Sequence, residues 1–331
     1  MRTPPLLSRQ PVRAAWTRER LEHERAVALG NVIDASSAAT YSSALQSYIS
    51  FCRSYGFAID PTPDTLSFYT VYMSHHIKPE SVDSYLSGIC NQLEPYYPEA
   101  RSNHCHQLMA RTLWGCKKLQ AVATTWKCPL MHSELSALQP RYMSSSSHDD
   151  LLFFVILVVG FHGLMRLGEL VWPDKKSLQD YRKVTKQSSV ELLPEGFSFF
   201  LPGHKADRFF EGNWIVLQWN ASGDDPDTPF RKYLVSHNSL FPFHPELWLR
   251  KDGSIPTCSG FIHHLRDHFP SDVGGHSLQA GGATALAQAR IPPHIIQAIG
   301  RWTSDTFQIY IRHHPVLPAA FLFGHRHNAD L

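Results

Sequence analysis

The stretch GGHSLQAGGATALAQA, residues 274–289, reads as a helix built of small residues with a histidine, His276, at its threshold. Three residues into it stands a neutral glutamine, Gln279. Beyond it come Pro292, Pro293 and a second apolar segment that runs into GRWTSDTFQIYIRHHP, residues 300–315. Helical periods therefore dominate the last hundred residues, from Pro226 to Leu331, and the question is what precedes them.

Working toward the N-terminus, the period changes. The segment SVELLPEGFSFFLPGHKADRFFEGNWIVLQW alternates and is rich in Phe, Val and Ile, which predicts a hairpin whose tip or edge, PGHKAD, holds Lys205. Before it, the apolar run LLFFVILVVG (151–160) is about half of the roughly 20 residues a membrane span needs and continues into His162 and Arg166. A buried helix is expected there, and no membrane partner. MHSELSAL opens this second unit. Earlier, between about residues 24 and 122, four segments repeat apolar residues at helical spacing. The first closes on Gly56, the second has Thr62 placed as an N-cap, the third restarts at KPES, and the fourth, RSNHCHQLMARTLWGCKKLQ, ends in a basic turn. The fold class expected is mainly α with a small antiparallel sheet: a tail over 1–23, a helical bundle over 24–122, and a mixed domain over 127–331.

With 331 residues, 43% of them hydrophobic and 12% aromatic, both domains can bury cores. The start of the chain lacks an apolar segment with a cleavage site, so secretion is not expected. Six cysteines without a C-x-x-C pair predict free, buried thiols and no metal site. NHCH (103–106) and the His264/His268 pair do not change that, since neither has further ligands nearby. A net charge of +2 is uninformative about nucleic acid, although 20 histidines can add charge at lower pH. Local basic groups are more telling: Arg13, Arg18 and Arg20; Lys117 with Lys118; Lys175 with Lys176; and Arg182, Lys183 and Lys186. Any one of them can equally be a solvated face.

Several residues could do chemistry. Arg166 emerges from the buried helix with Glu169 one turn on, an acid able to orient it. Taken singly, these are also a structural ion pair, Lys205 a surface lysine, His276 a cap and Tyr310 a core residue.

In their order and separations, Arg166, Lys205, His276, Trp302 and Tyr310 resemble the tyrosine recombinases, the phage-integrase-like family. The forms HKADRFFEGN, HSL-AGGATALA and GRWTSD-F-IYIR are closest to the Crypton-like recombinases of eukaryotic, especially fungal, mobile elements. The similarity is dense over about 150–315, and the helical bundle before it is similar to that family's SAM-like core-binding domain. The resemblance implies site-specific cleavage and rejoining of duplex DNA through a 3′-phosphotyrosine, with no cofactor, by four protomers on two DNA segments. In a eukaryote the chain would act in the nucleus. Tyr310 would be the nucleophile and Lys205 the general acid, with Arg166, His276 and Trp302 on the phosphate. Lys78, Tyr85, Lys117 and Lys118 would contact DNA from the bundle. Arg301, nine residues before Tyr310, competes with Trp302 for one position.

The family pattern is His-x-x-Arg, and here Gln279 stands in the place of the arginine. Glutamine carries no charge and makes no guanidinium fork, so a loss of roughly 10² to 10³ in rate is expected, about 3 to 4 kcal/mol. The alternative is a DNA-binding protein that retains the fold without turnover, or an enzyme that nicks and reseals, as the related type IB topoisomerases do.

Overall fold

The computed structural model describes residues 13–120, 128–204, 207, 210–219 and 224–304. The chain divides into two compact units, Met1–Ala123 and Thr124–Leu331.

In the first unit, α1 (Arg18–Gly30) starts inside the stretch that composition assigned to the tail. Thr17 caps it by accepting from the Arg20 N–H at 3.3 Å, and Arg18 pairs with Glu22 one turn on at 2.9 Å. These local contacts are enough to hold a helix that buries no residue. α2 (Ala35–Tyr55) stops at Gly56, whose φ of 69° only glycine adopts without strain and whose N–H reaches the Cys52 carbonyl. α3 (Pro63–Ser74) begins at Thr62, which accepts from the Thr65 N–H at 3.2 Å, and α4 (Pro79–Leu93) begins after Lys78. The fourth segment is two helices, α5 (Ala100–His104) and α6 (Gln107–Leu119). It breaks because His106 turns extended and caps α6, its Nδ1 accepting from the Leu108 N–H. The core joins Tyr48, Phe51, Leu66, Tyr69, Leu86, Ile89 and Met109, with Tyr48 and Tyr69 edge to face at 5.4 Å.

The second unit is organised around α8 (His148–His162), capped by Ser147 and buried along nearly its whole length. This is the apolar run, and it packs against α7 (His132–Ser144), α9 (Leu167–Leu170), α10 (Asp227–Leu240) and α12 (Gly275–Gln288). Three 3₁₀ turns, Lys176–Leu178, Tyr181–Lys183 and Gln187–Ser189, lead into the sheet. The sheet has three antiparallel strands in the order β1 (Glu191–Leu193), β2 (Gly196–Leu201), β3 (Asn213–Gln218). The expected hairpin is β2–β3, with Phe199 opposite Ile215; β1 is an exposed edge strand added across the Pro194–Glu195 turn. Phe197 stacks on Phe230 of α10 at 3.7 Å and fixes the sheet to the helices. α11 (Cys258–Arg266) and α13 (Pro293–Ile299) complete the unit. Among the described residues no helix is long and apolar enough to cross a membrane.

The small residues of the 274–289 stretch have a packing reason. A Cβ at Gly282 would lie 2.0 Å from the Phe161 carbonyl oxygen, and one at Gly281 would lie 2.2 Å from that of Leu130. Only glycine lets α12 approach α8 and the Leu130 segment this closely.

One expectation changes. Cys52, Cys90 and Cys116 are buried free thiols as expected, but Cys105 and Cys128 are exposed, because each lies at a break between elements. His264 in α11 and His268 just past its end both turn Nε2 to the Tyr142 hydroxyl, at 3.0 and 2.5 Å.

Burial pushes His264, His268, His237 and His104 below the ordinary imidazole range and raises Tyr142 to about 12. An unfolded chain protonates these histidines near pH 6.5, before the folded one does. Their stabilising effect is therefore complete above that pH and is lost as the pH falls through the lower folded values. The urea midpoint should fall steadily between pH 7 and 5; a flat profile would show that these rings take up protons in place.

Candidate active site

α8 ends in a turn that sets up the cationic centre. The Gly163 N–H bonds back to Val159 and that of Met165 to Gly160, at 2.9 Å each, while Leu164 between them is buried in the left-handed region at φ 47°. A branched side chain there is strained, and the turn leaves the Gly163 and Leu164 carbonyls without helical partners. Arg166 follows as the N-cap of α9. Its backbone N–H donates to Glu169 Oε2 at 3.1 Å and its Nη1 to Glu169 Oε1 at 3.0 Å.

Arg301 converges on the same place from the far end of the unit, after α13. It too is left-handed, at φ 56°, and its side chain is 7% exposed. Nη2 donates to the Leu164 carbonyl and to Glu169 Oε2, both at 3.1 Å, while Nη1 donates to the Gly163 and Ile299 carbonyls at 3.2 and 3.0 Å. One buried carboxylate thus holds two guanidinium groups. The Arg301 pKa is lowered, first by burial and also by Arg166, with Glu169 opposing. Arg166 is the more open of the pair, its side chain 21% exposed.

Gln279 completes the centre from α12. It is buried, and its Nε2 donates to the Leu164 carbonyl at 3.0 Å and to the Gly300 carbonyl at 3.4 Å. Gln279 and Arg301 therefore share an acceptor. His276, three residues earlier, is exposed. It follows Gly275, where a Cβ would touch Leu167 at 2.9 Å, so the start of α12 lies against the residue next to Arg166.

The remaining candidates divide. Trp302 packs over Gly300 and on the small cluster of Leu164, Ala283, Ala287 and Ile296. Its place is beneath the centre, whereas Arg301 is in it. Lys205 and Tyr310 lie outside the described residues. In the first unit Lys117 is paired with Asp83 at 2.8 Å, Lys118 is exposed over the exposed Trp114 ring, Lys78 is exposed at the start of α4, and Tyr85 packs at the edge of the core.

Sequence reasoning missed the part played by Leu164 and the Gly163 carbonyl. The nine-residue interval from Arg301 to Tyr310 was the one signal for Arg301.

Chemically, the centre offers a fixed, partly open guanidinium suited to an oxyanion with two or more oxygens, and the exposed His276 stands at the start of the helix that packs against α9.

No protein-family model matches this chain, and no curated protein does. Solved structures do. A XerH site-specific recombinase bound to a palindromic difH substrate in a post-cleavage complex aligns with a TM-score of 0.60 at 15% identity, over 86% of this chain and 79% of that one. A lambda integrase dimer bound to a COC′ core site gives 0.54 at 12% identity, over 89% and 94%. The Tn1549 transposon integrase in complex with transposon right end DNA gives 0.51 at 14% identity, over 80% and 85%. At these identities the likeness is one of fold: mainly helical with a three-stranded antiparallel sheet, as in the tyrosine recombinase catalytic domain.

Proposed function

We propose that this chain is a site-specific DNA recombinase of the tyrosine type, acting in the integration or excision of a Crypton-like mobile element and attenuated as it stands. The observation that carries the reading is the Arg166–Glu169–Arg301 centre beside the start of α12, on a fold found in DNA-bound recombinases. A phosphodiester under attack gains negative charge on its non-bridging oxygens, and a guanidinium already locked by a buried carboxylate meets that charge without reorganising.

In this reading the Tyr310 hydroxyl attacks the scissile phosphorus, the bond to the 5′-oxygen breaks, and Lys205 gives that oxygen its proton. The tyrosyl ester retains the energy for rejoining, so no nucleotide is consumed. Arg166 and His276 bind the non-bridging oxygens. Arg301 fixes Arg166 through their common carboxylate, and Trp302 supports the turn from below. Lys78, Tyr85, Lys117 and Lys118 contact duplex DNA from the bundle, four protomers assemble on two segments, and the nucleus is the compartment in a eukaryotic host.

A second reading, DNA binding without turnover, is favoured by one observation. Gln279 spends its amide on two main-chain carbonyls and leaves the phosphate one cation short.

A suicide duplex, nicked next to the cleavage site so that the freed strand diffuses away, separates the two. Covalent capture is expected, with the adduct on Tyr310 and a 3′-phosphate, at low yield. Salt-dependent binding with no adduct under any condition would establish the second reading, and an adduct on another tyrosine would overturn the site.

A further inference from the structure

Sharing no residue with this centre, three side chains from distant parts of the second unit meet. They are His132, the first residue of α7; His162, the last of α8; and Asp224, just before α10. His132 Nδ1 is hydrogen-bonded to Asp224 Oδ2, and His162 Nε2 lies 3.2 Å from the same oxygen and 2.9 Å from the Asp224 carbonyl. The three ligating atoms lie within 4.8 Å of one another.

We propose that His132, His162 and Asp224 form a binding site for a divalent transition-metal ion of the zinc type. Two imidazoles and a carboxylate are a donor set suited to such an ion, and tetrahedral ligands at about 2.0–2.1 Å stand about 3.3 Å apart, close to the His162–Asp224 separation. A second observation points the same way. Asp224 is fully buried, yet its Oδ1 has no hydrogen-bond partner among the described residues, while both imidazoles crowd onto Oδ2. Buried polar atoms are nearly always satisfied, and an orphaned carboxylate oxygen beside two histidines marks a missing group. A cation on the three ligands would keep its fourth position for water, whose O–H can donate to Oδ1. His132, with about half its side chain exposed, gives the route of entry.

Binding is balanced by proton movement on the rings. The nitrogens that now donate to Asp224 must present lone pairs, so each ring either shifts its proton to the other nitrogen or releases it to water. The ion would pin α7, α8 and the approach to α10 together, four residues before Arg166. It takes no part in the chemistry proposed above and does not depend on it.

The test uses the full chain after chelator treatment and dialysis. Titrated with zinc chloride against a chromophoric chelator, it should take up one tight equivalent, and cobalt(II) in its place should give the visible absorption of a low-coordinate site. Zinc should also raise the thermal midpoint of the unaltered chain. His132→Gln keeps an amide able to donate to Asp224 but removes the imidazole. It should weaken the tight equivalent by more than the about 10–100-fold that losing an outer-shell partner costs, and should abolish the cobalt spectrum. Uptake unchanged in His132→Gln would assign the zinc to other histidines and overturn the site, as would no tight equivalent and no rise in midpoint in the unaltered chain.

Discussion

Gln279→Arg should raise the yield of covalent DNA adduct by about 10² to 10³-fold, the converse of deleting one donor to a developing phosphoryl charge. Burial shapes how the gain appears. The glutamine amide now caps the Leu164 and Gly300 carbonyls, and Arg301 already donates to the first of them. A guanidinium at this position is longer, so it can keep one carbonyl and extend toward the open side, where the proposed reading has Arg166 and His276 bind the phosphate. Without DNA, however, three arginines would share the single carboxylate of Glu169. The free protein should therefore lose about 1–2 kcal/mol of stability while the complex is strengthened, since the scissile phosphate supplies the missing negative charge. Adduct formation on the nicked duplex and the unfolding midpoint with and without DNA measure both effects. An unchanged adduct yield would mean that Gln279 is a structural amide and that Arg166 and Arg301 are the complete cationic set.

The gain in yield follows from the His-x-x-Arg spacing; the cost in stability does not, because it depends on Glu169 and on the carbonyl that Gln279 and Arg301 share. Local signals were legible wherever one residue determines the backbone: Gly56 ending α2, Thr62 starting α3, and the apolar run that became α8. They failed where two weak signals compete. His106 broke the fourth segment because a capping imidazole outweighed continuous helical spacing, and Thr17 with the Arg18–Glu22 pair drew a helix out of a stretch poor in core residues.

In the centre, the Arg166–Glu169 contact was legible because the partners are three positions apart and a capping turn joins them. The place of Arg301 was not. It depends on two left-handed residues, Leu164 and Arg301, and on carbonyls freed by a turn 137 positions away from it. Nor does an i, i+3 interval tell which side of a helix faces solvent: His276 is exposed at the threshold of α12 while Gln279, one turn in, is covered.

Glu169→Gln should lower the stability of the folded chain by about 3 kcal/mol, at the lower end of what breaking a buried ion pair costs. The substitution preserves shape, so the loss reports charge. Glu169 is 5% exposed and accepts from the Arg166 N–H, Arg166 Nη1 and Arg301 Nη2. A glutamine offers one oxygen for these three donors and turns an NH₂ group against a guanidinium. Arg166 is open enough for water to screen part of its charge, whereas Arg301 has no such recourse at 7% exposure. The destabilisation should therefore depend mainly on Arg301. Arg301→Met alone should also destabilise, because it releases the Gly163 and Leu164 carbonyls that the guanidinium satisfies. The double variant no longer contains the uncompensated buried cation, so it should be more stable than the sum of the single losses by more than about 1 kcal/mol. Additivity within about 0.5 kcal/mol would show instead that Glu169 and Arg301 act independently, and that Arg166 is held by the capping turn of α9 without help from the second arginine.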